Sequence, residues 1–334
     1  MTRRGYDVDD HEQFDRPRRH TRPRTKERPA HLEAISAFVV AVDRGRYTCL
    51  VSGEHGDRLI TAMKSRPLGR KGVVVGDRVR IVGDVSGDSG SLARIVEVMP
   101  RATVLRRTAD DDDPVERVVV ANADQLVVVA ALADPPPRRR LIDRCLVAAY
   151  DAGLDPLLCL TKPDLADPED LLSIYRPLGV PYVITHRGKQ LSDIKDRLID
   201  RVSVLVGHSG VGKSTLVNGL VPGTDRAIGH VNVVTGRGRH TSTSVVALRL
   251  PFGGWVVDTP GIRSFGLAHV DVNRIIEAFP DLAALTGPCP RGCTHGEGAP
   301  ECGLDLALAS GETDAARVES FRRLLASRDQ PEDE

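Results

Sequence analysis

Residues Gly207-His208-Ser209-Gly210-Val211-Gly212-Lys213-Ser214 satisfy the pattern G-x-x-x-x-G-K-[ST] and run on into Thr215. Each residue type has a task at a phosphate. The glycines let backbone N–H groups converge on phosphate oxygens, Lys213 is long enough to reach the β- and γ-phosphates, and the Ser214 hydroxyl suits Mg²⁺. Upstream stands Thr161-Lys162-Pro163-Asp164. The Asp164 carboxylate can accept from N1–H and the exocyclic amine of guanine together, a pair of donors that adenine does not present, while the Lys162 stem can lie along the base plane. Downstream stands Asp258-Thr259-Pro260-Gly261. There Asp258 is placed to hold Mg²⁺ through water, and the Gly261 N–H to meet the γ-phosphate. Between them, residues 236–243 form a Gly-rich polar stretch of the kind that closes when a γ-phosphate is present. Thr241 is the expected Mg²⁺ ligand within it, with Thr243 second. Ile262 occupies the place of a water-orienting Gln, so the intrinsic rate should be low, and His240 is the nearest side chain that could assist.

The order of these motifs is informative. Guanine-nucleotide switches usually carry the phosphate loop first and the base-reading motif later; here the base-reading motif leads. The nucleotide domain therefore reads as circularly permuted.

A second constellation, Cys289, Cys293, His295 and Cys302, has the spacing C-x₃-C-x-H-x₆-C. Three thiolates and one imidazole make a closed tetrahedral zinc set, structural rather than catalytic. Cys49, Cys145 and Cys159 are scattered and read as packing residues.

Elements must hold these residues in place. Residues 1–30 are Arg-, Pro- and Asp-rich without periodicity, a disordered arm. From 31 to 106 short strands at 37–42, 47–51, 73–75, 79–82 and 93–98 alternate with Gly turns, suggesting a five-stranded oligonucleotide-binding barrel with basic residues for nucleic acid. The Asp110-Asp111-Asp112-Asp113 run is expected to be a solvated loop. Across 107–270, apolar strands at 125–130, 156–160, 182–185, 202–206 and 255–257 alternate with helical stretches such as 138–152. This is an α/β domain with a mostly parallel sheet and helices on both faces, each motif at the C-terminal end of a strand. The Thr185-His186 pair follows one strand as a candidate second support for the base. Residues 271–334 are helical around the Cys/His cluster.

The chain has 334 residues with 41% hydrophobic and 28% charged residues and zero formal net charge, ordinary for a globular protein of two or three domains. Zero net charge does not exclude nucleic acid, because charge is local: residues 16–26 are Arg-rich and the C-terminal residues are acidic. No run is long and apolar enough for a membrane span, and the N-terminus lacks the apolar segment of a secretory signal. A monomeric cytoplasmic protein without a membrane partner is expected.

A barrel, then a GTPase with residues 161–164 ahead of 207–214 and 258–261, then a zinc knuckle, together resemble the bacterial ribosome small-subunit-dependent GTPase family over residues 31–325. The stretches 238–241 and 261–267 are similar to that family's switch regions. The resemblance implies GTP hydrolysis with Mg²⁺, a role late in maturation of the small ribosomal subunit, and contacts to the subunit and its rRNA through barrel and zinc domain that stimulate hydrolysis. It also implies that His240 assists catalysis. Three departures stand out. Thr161 replaces the usual Asn and should lose a contact to the base and the phosphate loop; the zinc spacing differs by about one residue; and the basic arm is an extension. Two other classes of function are weighed against this one. Asp164 argues against an ATP-using kinase or transferase. Intact Lys213, Ser214 and Asp258 argue against a non-enzymatic RNA scaffold.

Overall fold

The computed structural model describes residues 31–53, 56–69, 72–107, 117–188, 191–222, 245–259, 265, 267 and 270–329. These residues form thirteen strands and a set of helices, and the unit from Glu33 onward is described below.

Five strands, β1 (Ile35–Asp43), β2 (Arg46–Gly53), β3 (Gly56–Lys64), β4 (Arg78–Gly83) and β5 (Ala93–Val98), run in the order β1-β2-β3-β5-β4 and close through a β1–β4 pairing. All pairs are antiparallel except β3–β5. Closure removes the free edges that an open sheet would expose. Alternate residues point inward, so Ala37, Val39, Cys49, Ile60, Val79, Ile81 and Ile95 fill one core. Five strands were expected, but one is misplaced. Residues 73–75 form no strand; Val75 makes only an isolated bridge to Val120. The fifth strand is β3, whose outward Leu59 and Met63 are exposed and blur the apolar–polar alternation.

A hairpin of β6 (Val104–Arg107) and β7 (Arg117–Ala121) leads from the barrel to the nucleotide sheet. That sheet contains β8 (Gln125–Ala131), β9 (Asp155–Thr161), β10 (Tyr182–Thr185), β11 (Val202–Val206), β12 (Val246–Arg249) and β13 (Trp255–Asp258) in the order β10-β9-β8-β11-β13-β12. The first five in that order are parallel and β12 is antiparallel. Every residue of β8 is buried, as a strand covered on both faces requires. Its even-numbered residues Leu126, Val128 and Ala130 face α1 (Arg139–Asp151), while Val127, Val129 and Ala131 face α3 (Ser192–Leu198) and α4 (Lys213–Leu220). Between α1 and α3 lies the short α2 (Glu169–Tyr175).

Barrel and nucleotide sheet meet along one edge. Ala41 of β1 pairs with Val246 of β12, the Phe38 and Trp255 rings lie 5.1 Å apart, and Arg249 pairs with Asp57. Below the barrel, the fully buried Asp77 takes a bidentate contact from Arg101 at 2.7 and 2.8 Å and accepts from the Val74 N–H. Gly76 is forced there: a Cβ would sit 1.9 Å from the Ala121 carbonyl oxygen.

The C-terminal helices α5 (Val272–Glu277), α6 (Pro280–Ala283), α7 (Gly303–Ser310) and α8 (Ala315–Asp329) pack on the outer side of α1. Tyr150, Phe279 and Phe321 form two successive edge-on ring contacts at 4.9 and 5.3 Å. Among the described residues, no helix is long and apolar enough to cross a membrane. Residues 1–30 and the Asp110–Asp113 run lie outside the described residues.

Candidate nucleotide site and metal cluster

Because β9, β11 and β13 are parallel, their C-terminal ends share one edge of the sheet. Thr161 ends β9, Gly207 follows β11 and Asp258 ends β13, so three motifs separated in sequence arrive together.

The phosphate loop is held close against β8. A Cβ on Gly207 would lie 2.5 Å from the Val129 carbonyl oxygen, so only glycine fits without a shift. Gly210 and Gly212 have φ of +84° and +93°, backbone that glycine adopts freely. Helix α4 then begins at Lys213, placing Ser214 and Thr215 in its first turn, both exposed. The N-terminus of such a helix favours anions. His208 and Ser209 lie at the tip, where His208 Nδ1 is 2.9 Å from the Ser209 carbonyl oxygen.

Lys213 Nζ lies 3.1 Å from Asp258 Oδ1 and donates to the Thr259 carbonyl at 3.1 Å. Thr259 is fully buried, and its hydroxyl donates to Leu205 O at 2.7 Å. The Lys213 ammonium and the Asp258 carboxylate thus occupy one small volume.

Beside the loop opens a cleft of about 710 Å³, lined by residues that include Thr161, Lys162, Asp164, Thr185, His186 and Thr215. A turn with Leu165 N–H donating to Lys162 O at 3.1 Å presents Asp164 to it. Lys162 Nζ donates to the carbonyl of Asp134, just past β8. The Thr185 side chain is buried and committed to β9, donating to Leu160 O at 3.2 Å, although the residue still borders the cleft. Arg187, just past β10, and Lys195, on α3, also line it and were not singled out from sequence.

Thr161 makes a contact of another kind than the amide contact expected to be lost. Its hydroxyl donates to the Val211 carbonyl at 2.6 Å, so the base-reading motif keeps a direct bond to the phosphate loop despite the shorter side chain. Thr161 is buried, and Gly212 lies against it. Gly261, Ile262, His240, Thr241 and Thr243 lie outside the described residues.

The four expected metal ligands converge. One ligand atom from each of Cys289, Cys293, His295 and Cys302 lies within 4.8 Å of all the others, so the cluster could hold a metal ion. His295 Nδ1 is 3.6 Å from Cys289 Sγ and 3.8 Å from Cys302 Sγ. Tetrahedral zinc bonds of about 2.3 Å to sulfur and about 2.0 Å to nitrogen put S and N about 3.6 Å apart, so the donor set fits that ion. Gly303, at the start of α7, donates its N–H to Cys289 Sγ at 3.0 Å, and a Cβ there would meet the Leu285 carbonyl oxygen at 2.3 Å. Burial, and then the nearby Arg322 charge, lower the His295 pKa, which favours the neutral imidazole that a metal needs. Arg322 of α8 braces the cluster by donating to His295 O at 3.2 Å and pairing with Asp305 at 2.8 Å.

The RsgA GTPase family model matches residues 98–268. A protein of Ectopseudomonas mendocina (strain ymp) named small ribosomal subunit biogenesis GTPase RsgA is 46% identical over 203 residues, 58% of this chain and 58% of its own. Its namesake in Pseudomonas aeruginosa (strain LESB58) is 43% identical over 196 residues, 56% of this chain and 58% of its own. The matched region thus spans under two thirds of the length of these relatives. Among solved structures, YjeQ from Thermotoga maritima superposes with a TM-score of 0.64 at 26% identity, covering 88% of this chain and 98% of that one. YloQ, described as a circularly permuted GTPase, gives 0.63 at 24% identity over 92% and 99%, a likeness of fold.

Proposed function

The chain belongs to the RsgA GTPase family, and from that premise we propose that it hydrolyses GTP to GDP and phosphate during late maturation of the small ribosomal subunit. The subunit and its rRNA are its partners and stimulate it. The observation that carries the reading is the convergence of Asp164, the 207–214 loop, Lys213 and Asp258 at one sheet edge beside a cleft of about 710 Å³.

The assigned roles follow from that placement. Asp164 reads the guanine edge, and Lys162 and Thr161 hold the base motif, Thr161 through Val211. Residues 207–215 enclose the phosphates. Lys213 leaves Asp258 and Thr259 for the β- and γ-phosphates, where its charge offsets the negative charge that spreads as water attacks the γ-phosphorus and the bond to the bridging oxygen breaks. Ser214, Thr241 and Asp258 would hold Mg²⁺, which when bound neutralises phosphate charge. The Gly261 N–H meets the γ-phosphate, and His240 assists the attacking water. Cys289, Cys293, His295 and Cys302 hold one structural zinc.

We read residues 1–30 as an arm, 31–106 as the barrel, 107–270 as the nucleotide domain and 271–334 as the zinc-binding helical domain. The barrel and the helical domain grip the subunit, and the protein acts as a cytoplasmic monomer. Permutation supports a short route from γ-phosphate to grip, because the segment after Asp258 runs straight into the helical domain. Competition between GDP and ADP for the site tests the reading. GDP should displace a labelled guanine nucleotide and ADP should not; equal displacement would refute it.

A further inference from the structure

Three consecutive arginines stand where α1 is least suited to hold them. Arg138 is the residue before the helix, Arg139 and Arg140 open it, and all three are exposed. The first turn of a helix has unpaired N–H groups and partial positive charge, a place that favours acids and disfavours cations. Yet no acidic residue stands in that turn, and Arg138 provides no side-chain cap. Asp143, the first acid along α1, is buried, hydrogen-bonds to Arg323 and is near enough to Arg139 for their charges to interact. One buried carboxylate leaves most of the charge of the run facing solvent.

The run stands on the rim of the nucleotide cleft. Asp134, just past β8, lines the cleft and accepts from Lys162 Nζ through its carbonyl. Pro135 lies against the phosphate loop, its Cδ 3.5 Å from where a Cβ on Gly210 would stand. Pro136 and Pro137 then lead to Arg138, and prolines hold φ near about −65°, so the arginines stand on a stiff stem. Successive residues of a helix point about 100° apart, at about 3.6 residues per turn. Three adjacent guanidinium groups therefore fan outward rather than close on one nucleotide phosphate. They suit a row of anions spaced along a surface.

We propose that Arg138, Arg139 and Arg140 form a docking surface for the phosphate backbone of RNA, namely the rRNA of the small subunit, beside the nucleotide cleft. The fan meets successive phosphates, and the planar fork of each arginine offers two parallel N–H donors to one phosphate. Contacts of this kind position RNA without reading its bases. The inference rests on the ribosomal reading above. It adds to the barrel and the helical domain a third contact, one short loop away from the carbonyl that holds Lys162.

Binding to purified small ribosomal subunits, followed by co-sedimentation across a salt series, tests it. Each duplex phosphate that a protein neutralises adds about 0.9 to the slope of log affinity against log salt. The full chain carrying Arg138→Gln, Arg139→Gln and Arg140→Gln together should lose about 2.7 of that slope, so a fourfold rise in salt should cost the wild type about 40-fold more affinity than it costs the variant. GDP affinity should be unchanged, the same three positions changed to Lys should restore the slope, and protein-free rRNA should show the same difference. An unchanged slope would overturn the inference, as would a Lys variant that behaves like the Gln variant. A difference seen with subunits but absent with protein-free rRNA would overturn it by placing the contact on an acidic protein surface. Loss of GDP affinity in the Gln variant would overturn it by placing the arginines at the nucleotide. Failure of the wild type to bind subunits would remove the ribosomal reading, and this inference with it. If the triple Gln variant does not fold, Arg138→Gln alone decides, with an expected slope loss of about 0.9.

Discussion

Replacing Thr161 with Val removes the hydroxyl that donates to Val211 O, with Ala130 O a longer second acceptor at 3.5 Å, which makes it a sharp probe of how base reading and phosphate binding are joined. The hydroxyl lies 2.6 Å from the Val211 carbonyl oxygen. A methyl group in its place needs roughly 3.3 Å or more from that oxygen, the distance at which carbon and carbonyl oxygen normally meet. The loop must then retreat by about 0.7 Å, and Val211 O loses its buried donor. An unsatisfied buried acceptor costs about 1–3 kcal/mol. If that cost falls on the nucleotide-binding conformation of the loop, affinity for GDP drops by about 5- to 150-fold, since about 1.4 kcal/mol is tenfold. Equilibrium titration with a fluorescent GDP analogue reads the loss. Thr161→Ser, which keeps the hydroxyl, should bind nearly as the wild type does. Binding by Thr161→Val within twofold of wild type, or a Ser variant as weak as Val, would refute the idea that this bond organises the loop.

Other perturbations follow from the same geometry. Asp164→Ala should weaken GDP binding by about 100-fold or more, because two hydrogen bonds to a charged group at about 1.5–3 kcal/mol each are lost, and calorimetry should show no gain in ADP binding. Lys213→Ala should abolish GTP turnover while leaving subunit binding in place, as measured by phosphate release and co-sedimentation. Cys302→Ser should reduce bound zinc below one ion per chain by elemental analysis and lower the unfolding temperature, since a structural zinc contributes directly to folding. Arg101→Met leaves the fully buried Asp77 without its bidentate partner; denaturant unfolding should show a loss of about 3 kcal/mol, and the double variant with Asp77→Asn should lose less.

What the sequence revealed was set by the range of the contacts involved. The phosphate loop was readable because glycines, lysine and serine at fixed offsets make the whole feature locally, and the Cys/His cluster because all its ligands lie within one short segment. The parallel strands were readable as unbroken apolar runs bounded by turns. Strand β3 was not, because Leu59 and Met63 stand exposed where an alternating strand would show polar residues. Conversely, residues 73–75 look like a strand, but Val73 and Val75 are buried without extending a ladder. Side-chain contacts between distant segments left no pattern. The Thr161 bond to Val211 depends on β9 and β11 bringing their ends together, and Arg144, an ordinary cation in an amphipathic helix by sequence, finds acceptors at Phe265 and Ser327 only once α8 has docked. The substitution of Thr for Asn shows the lost amide in the sequence but not the backbone acceptor that the Thr161 hydroxyl finds.

GTP turnover with and without purified small ribosomal subunits tests the central claim most directly. The account predicts a slow intrinsic rate, a large increase on adding subunits, and no comparable increase with ATP as substrate. Turnover unchanged by the subunit, or ATP hydrolysed as readily as GTP, would contradict it.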